Sequence, residues 1–208
     1  VRERSIKTLG LPLKLVKVND LDIENAIPKV VESLGAFQIE LVLGGLFTYF
    51  ISREAYKDGL KVLLFGEGAD ELFGGYNKYR LFLERSSEFA NKMMLYDLHF
   101  LWLTHNKTVD HASMAASIEA RVPYQDTYVK GNVRRLPVKL KVDLNDKSGN
   151  KIALRTIARK YLPDIIALRE KEVISRGTDL GVMLGRVARN MANNYDVQSI
   201  SNTDRKNF

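Results

Sequence analysis

The run Lys61-Val62-Leu63-Leu64-Phe65 stops abruptly at Gly66-Glu67-Gly68, continues as Ala69-Asp70-Glu71-Leu72-Phe73, and ends in Gly74-Gly75-Tyr76. The bulky, β-branched character and short length of Leu60 to Phe65 predict a fully buried strand. A buried strand that ends in glycines and carboxylates places those carboxylates at the carboxyl end of a sheet, where ligands sit in open α/β folds. The glycines permit close approach to the backbone. Glu67 and Asp70, three residues apart, can face one pocket, and paired carboxylates suit Mg²⁺ or a cationic group. The competing reading is an ordinary helix start, because acids favour helix N-termini. A dinucleotide fingerprint is excluded: counting from Gly66, the third glycine position holds Glu71.

Elsewhere the periodicity alternates. Leu11 to Val18 predicts a strand, Leu21 to Leu34 a helix restarting at Pro28 and closed by Gly35, and Gln38 to Asp58 a longer helix. Strands alternating with helices argue for a parallel sheet covered on both faces. From Tyr79 onward the pattern is helical: Ser87 to Thr104, Val109 to Glu119, Lys151 to Tyr161 and Asp179 to Asn193, with a polar loop at Asp143 to Asn150. Val1 to Gly10 reads as the end of a helix, and Ser199 to Phe208 as a frayed polar tail. Trp102, Met93 and Met94 follow a helical apolar pattern and read as core. His99, His105 and His111, spaced by six, do not share a helix face and do not suggest a metal site.

Composition matters mainly for what it removes. The 208 residues include no cysteine, so thiolate and disulfide chemistry are absent. No leader opens the chain and no apolar run is long enough for a bilayer, so the expected location is the cytoplasm, with no membrane partner. The net charge of +7 suits an anionic partner. Arg134-Arg135 with Lys139 and Lys141, and Arg155 with Arg159 and Lys160, read as solvated basic faces rather than a nucleic-acid surface.

GEGADELFGGY resembles the second signature of the asparagine synthetase family's synthetase domain. Asp110-His111-Ala112-Ser113-Met114-Ala115 through Ser117-Ile118-Glu119-Ala120-Arg121-Val122-Pro123-Tyr124-Gln125-Asp126 resembles that family's D-R-x-S-M-A-x-S-x-E-x-R-x-P-F-L-D block. Gly149-Asn150-Lys151 with Leu154-Arg155 and Tyr161-Leu162-Pro163 is similar to its G-x-K-x-x-L-R…Y-L-P segment, and Arg169-Glu170-Lys171 to its R-x-K element. The resemblance implies an α/β, parallel-sheet ATP-pyrophosphatase fold of Rossmann-like type. The α/β nucleotide-binding part would occupy 1–78, and a mainly helical part 79–198.

It also implies a chemistry. A carboxylic acid, aspartate by family analogy, attacks ATP to give an acyl-adenylate and pyrophosphate, and an amine then displaces AMP. By resemblance, Phe65, Gly66 and Gly68 line the nucleotide, Glu67 serves adenylate formation, and Asp70 binds Mg²⁺. Lys171 and Lys151 meet the phosphates. Tyr76 and Glu119 would form a base pair like that of β-lactam-forming relatives. Glu119 with Arg121 reads equally well as a structural ion pair, with Asp126 as a helix cap.

The family's S-G-G-x-D-S phosphate loop has no counterpart in these residues. The resemblance therefore implies that a preceding segment or another chain supplies it; a homodimer stays open. Phe65 replaces a usual serine, His111 a usual arginine or lysine, and Gln125 a usual apolar residue. These departures keep two rivals open: a degenerate nucleotide-binding scaffold, and an ATP-pyrophosphatase relative acting on a substrate such as tRNA.

Overall fold

The computed structural model describes residues 9–145, 150–169 and 178–194. The expected helix end before Gly10 and the polar tail lie outside the described residues, as does Lys171. A helical pair begins the architecture. α1 (Asp20–Leu34) starts on a reciprocal cap, in which the Asp22 N–H donates to Asn19 Oδ1 at 2.9 Å and the Asn19 N–H to Asp22 Oδ2 at 3.0 Å. It ends at Gly35, whose φ of 57° is the left-handed geometry of a C-terminal glycine.

α1 runs unbroken through Pro28, against the expected restart there. Its buried stripe, Ile23, Ala26, Val30 and Leu34, extends across the proline. Packing of that stripe outweighs the one backbone hydrogen bond that proline cannot donate.

α2 (Ile39–Lys57) packs on α1 through Val42, Leu46 and Phe50, and α10 (Leu180–Asn194) closes the same core with Leu184 and Val187. The helices approach closely at Gly45. A Cβ there would lie 2.7 Å from Val30 Cγ1 and 2.9 Å from Leu34 Cδ1. Gly45→Ala should therefore destabilise by about 1–2 kcal/mol, the packing penalty outweighing alanine's helix preference. A denaturant midpoint equal to or above that of the parent would show that the helices can part.

The sheet is small. β1 (Val62–Leu64) pairs in parallel with β2 (Glu119–Arg121), in the register Val62–Glu119, Leu63–Ala120, Leu64–Arg121. Leu64 is 71% exposed, so β1 is not the fully buried strand its composition suggests. Among the described residues only β2 pairs with it, leaving one long edge and part of each face uncovered. Residues 11–18 form no strand either: Leu11, Leu13 and Leu15 are exposed, while Val16 and Val18 pack on the α1–α2 core. No neighbouring strand among the described residues offers them a ladder, and isolated extended chain gains no pairing.

The crossover from β1 to β2 is helical. It comprises α3 (Ala69–Phe73), α4 (Lys78–Arg85), α5 (Ser87–Phe100), a 3₁₀ turn at Leu101–Leu103 and α6 (His105–Met114). α6 ends earlier than the expected Glu119, because Ser117 turns with φ 61° and hands the chain to β2. α7 (Thr127–Val133) is capped by Asp126, whose Oδ1 accepts from the Tyr128 N–H at 2.8 Å. α8 (Ile152–Ala158) and the short α9 (Asp164–Ala167) follow. Met94 is buried, but Trp102 is 59% exposed, contrary to its reading as core: the helical pattern breaks at the 3₁₀ turn and rotates it outward. No single helix among the described residues is long and apolar enough to cross a membrane.

Candidate functional site

The turn after β1 is built as its glycines suggest. The Phe65 N–H extends the parallel ladder by donating to the Arg121 carbonyl at 2.8 Å. Gly68 then adopts φ 92° and opens α3. A Cβ at Gly68 would meet Gln125 Cγ at 2.8 Å, so glycine serves both the turn and the approach. Gln125 forms a reciprocal amide pair with Asn106, both bonds 2.6 Å, and its Nε2 reaches the Glu67 carbonyl at 3.4 Å. The polar residue standing where an apolar one is usual thus supports the Glu67 turn. Phe65 and Glu67 are half-buried, and Gly66 is exposed.

α3 is short, and its adjacent acids serve opposite sides. Asp70 faces a cleft of about 400 Å³, lined also by Asn150, Lys151, Arg155, Arg169 and the apolar Leu154, Leu162 and Ile166. Lys151 Nζ sits 2.9 Å from Asp70 Oδ1. Lys151 itself holds φ 64°, a left-handed conformation that costs a non-glycine residue about 1–2 kcal/mol. Gly75 lies beneath the pair: a Cβ there would overlap Asp70 Oδ1 and come 2.5 Å from Lys151 Cε. Asn150, 8% exposed, donates to the Gly75 carbonyl at 3.2 Å and to Asn77 Oδ1 at 3.3 Å, stapling the GGY turn to the lysine turn.

Glu71, on the far side, is 4% exposed and accepts from the Tyr76 hydroxyl at 2.7 Å. Burial first, then the Glu71 charge, push the Tyr76 phenol well above its ordinary range. Tyr76 is therefore held protonated and suits a proton donor better than a base. Its neighbour Tyr79 is wholly buried, and its hydroxyl donates to Asp97 Oδ2 at 2.6 Å, where Lys78 Nζ also binds at 2.7 Å. Burial and Asp97 push Tyr79 up likewise.

Of the residues singled out by sequence, the structure joins Asp70 and Lys151 directly. It gives Tyr76 and Glu119 different partners. Glu119, on exposed β2, accepts from Arg121 Nε at 2.7 Å, and that hydrogen bond, then the Arg121 charge, holds its carboxyl below the usual range. The ion-pair alternative for Glu119, with Asp126 as cap, is the one observed. Among the described residues no group of three acidic or histidine side chains forms a metal cage.

Asn150, Arg155 and Arg169 line the cleft without having been singled out as site residues. The signal for Arg155 was its position four after Lys151, one helical turn away. Its grouping with Arg159 and Lys160 as one solvated face does not hold. Arg155 is half-buried in the cleft wall, whereas Arg159 is exposed and bound to Asp164 Oδ1 at 2.9 Å.

A model of the family described as asparagine synthase matches residues 1–91 and 82–205. The chain belongs to the asparagine synthase family. It is 32% identical over 217 aligned residues to a protein of Methanocaldococcus jannaschii assigned as asparagine synthetase [glutamine-hydrolyzing] 1, covering 90% of this chain and 40% of that relative. To asparagine synthetase B [glutamine-hydrolyzing] of Escherichia coli it is 30% identical over 161 residues, covering 74% of this chain and 27% of the relative. To asparagine synthetase [glutamine-hydrolyzing] 1 of Saccharomyces cerevisiae it is 29% identical over 170 residues, with 74% and 28% covered. The chain thus spans two fifths or less of the length of these relatives. The Asp70–Lys151 cleft lies between the GEGADELFGGY stretch and the start of α8.

Proposed function

We propose that the protein is an ATP-dependent amide-forming ligase. It activates a carboxylate, aspartate first among candidates, as an acyl-adenylate with release of pyrophosphate, and then accepts an amine or ammonia. The Lys151 ammonium beside Asp70 carries this reading. A cleft that pairs a lysine with a carboxylate, backed by Arg155 and Arg169, suits a polyphosphate and the cation that accompanies it.

In this reading the acid and nucleotide meet at the Phe65–Gly68 turn, where Glu67 orients the reacting groups. The leaving pyrophosphate collects on Lys151 and on Lys171. Asp70 is the residue that would hold Mg²⁺ here, and the buried Asn150 lines the same cleft. Mg²⁺ there would neutralise phosphate charge. The Lys151 ammonium, 2.9 Å from Asp70 Oδ1, would lie beside the same phosphates. Leu154, Leu162 and Ile166 give the cleft an apolar wall beside these charges. The open edge and exposed Leu64 of β1 support completion of the sheet, and of the phosphate loop, by residues outside this sequence.

Mg²⁺-dependent ATP–pyrophosphate exchange on the intact protein tests this. Exchange that appears only when aspartate is added is the expected result. Nucleotide binding without exchange, for aspartate and for a panel of other acids, would favour the scaffold reading, which the phenylalanine at position 65 already suggests.

A further inference from the structure

Arg155 is fixed by two backbone carbonyls. Its Nε donates to the Asn150 carbonyl at 2.8 Å, and one terminal nitrogen, Nη2, to the Arg169 carbonyl at 2.8 Å. These carbonyls belong to two separate segments: Asn150 precedes Lys151, and Arg169 opens the R-x-K element. The other terminal nitrogen, Nη1, is buried and has no acceptor among the described residues. A buried guanidinium edge without an acceptor is costly, of the order of 1–3 kcal/mol or more for a charged donor. Arg155 is also part of the cleft wall that holds Lys151 and Asp70. Asn150, more than nine-tenths buried, lines the same cleft.

We propose that Arg155 is an oxyanion-binding residue of this cleft, its Nη1 edge donating to a pyrophosphate oxygen while its other two donors hold the Asn150 and Arg169 backbones at fixed spacing. The inference rests on the adenylate-forming reading for the identity of the oxyanion, not for the presence of the donor. Two observations favour pyrophosphate over the acid substrate. Lys151 and Arg169 line the same cleft, so that three cations stand there with the Asp70 carboxylate, an excess that suits a polyanion better than a single carboxylate. The planar guanidinium, already oriented by two hydrogen bonds, gives up little further freedom on binding.

The experiment is calorimetric titration of the intact protein with Mg²⁺-pyrophosphate and, separately, with aspartate, for the parent, Arg155→Lys and Arg155→Ala. Pyrophosphate affinity should fall by about tenfold to a hundredfold in Arg155→Ala, as for loss of a charge-assisted hydrogen bond. Arg155→Lys should also weaken it, since an ammonium keeps the charge but its donors share one nitrogen and cannot span the spacing that the planar guanidinium bridges. Aspartate affinity should be unchanged.

Because Arg155→Ala also frees two backbone segments, the readout independent of folding is the parent protein labelled with ¹⁵N-arginine. Added pyrophosphate should shift one guanidinium resonance, and that resonance should be missing in Arg155→Lys. Parent affinity in both variants, or no shifted arginine resonance, overturns the role of Arg155 while leaving ligase activity intact. Loss of aspartate affinity with pyrophosphate affinity preserved overturns the choice of oxyanion. Failure of the parent to bind pyrophosphate at all overturns this inference together with the adenylation reading.

Discussion

Lys151→Ala should lower ATP–pyrophosphate exchange by about two to three orders of magnitude, the usual loss when one preorganised donor to developing charge is removed. Folding stability should move far less. The Lys151–Asp70 pair is 2.9 Å long, but both side chains keep about a quarter of their surface exposed, which confines its worth to roughly 1 kcal/mol or less. Lys151→Gly makes the separation sharper. Lys151 sits at φ 64°, where glycine is relaxed and other residues are not. The glycine variant should therefore lose exchange as fully as alanine yet melt no lower than the parent. Strain kept at the residue that presents the ammonium is a structural sign of function.

Gly75→Ala tests the same site without touching a charge. Its new methyl would occupy the space of the Asp70 carboxylate and press on the Lys151 shaft. Exchange should fall alongside Lys151→Ala, with some loss of stability from the crowding. Full exchange in Lys151→Ala, measured at saturating pyrophosphate and again below saturation, would remove this lysine from the reaction.

Much of the local geometry around the candidate site could be read from the chain because its determinants are local. The turn after β1 needs glycine at position 68 and acids at the opening of α3, and both requirements sit within a dozen residues. Asp126 as a cap and Gly35 as a helix terminator are local in the same sense. What escaped the sequence depends on distant partners. Arg155 became a wall residue through the carbonyls of Asn150 and Arg169. β2 is three residues, Glu-Ala-Arg, with no apolar alternation to betray it, and exists only because the Lys61–Phe65 backbone lies beside it. Residues 11–18 fail in the opposite sense, since their alternation is strand-like but their ladder partner is lacking among the described residues. Tyr76 and Glu119 were joined by analogy; in this structure Tyr76 donates to Glu71 and Glu119 accepts from Arg121.

Lys141 carries the second large effect. Its grouping with Arg134, Arg135 and Lys139 as a solvated face is contradicted: it is 2% exposed, next to Val142 and the Gly74 turn. Its carbonyl accepts from the Ile152 N–H at 3.2 Å, tying it to the start of α8 beside Lys151. No carboxylate binds its ammonium among the described residues. Burial, helped by the Arg134 charge, pushes it down to about 8 from an ordinary 10.5.

The consequence for folding has a definite sign. Below about 8 the lysine is charged in both states, and the folded protein bears the full cost of a buried charge. Between about 8 and 10.5 the unfolded chain binds the extra proton, so stability rises with pH across that window. Lys141→Met removes the charge and keeps an unbranched apolar stem. The variant should be more stable than the parent by about 3 kcal/mol near neutral pH, and the advantage should shrink steadily as pH rises through the window. Paired denaturant titrations at a series of pH values measure that difference directly and cancel the titration of other groups. An advantage that is constant with pH would assign the gain to packing alone. A loss of stability at neutral pH would mean that the ammonium finds an oxygen partner in solution, and that the buried lysine fastens the Gly74 turn to α8 rather than straining it.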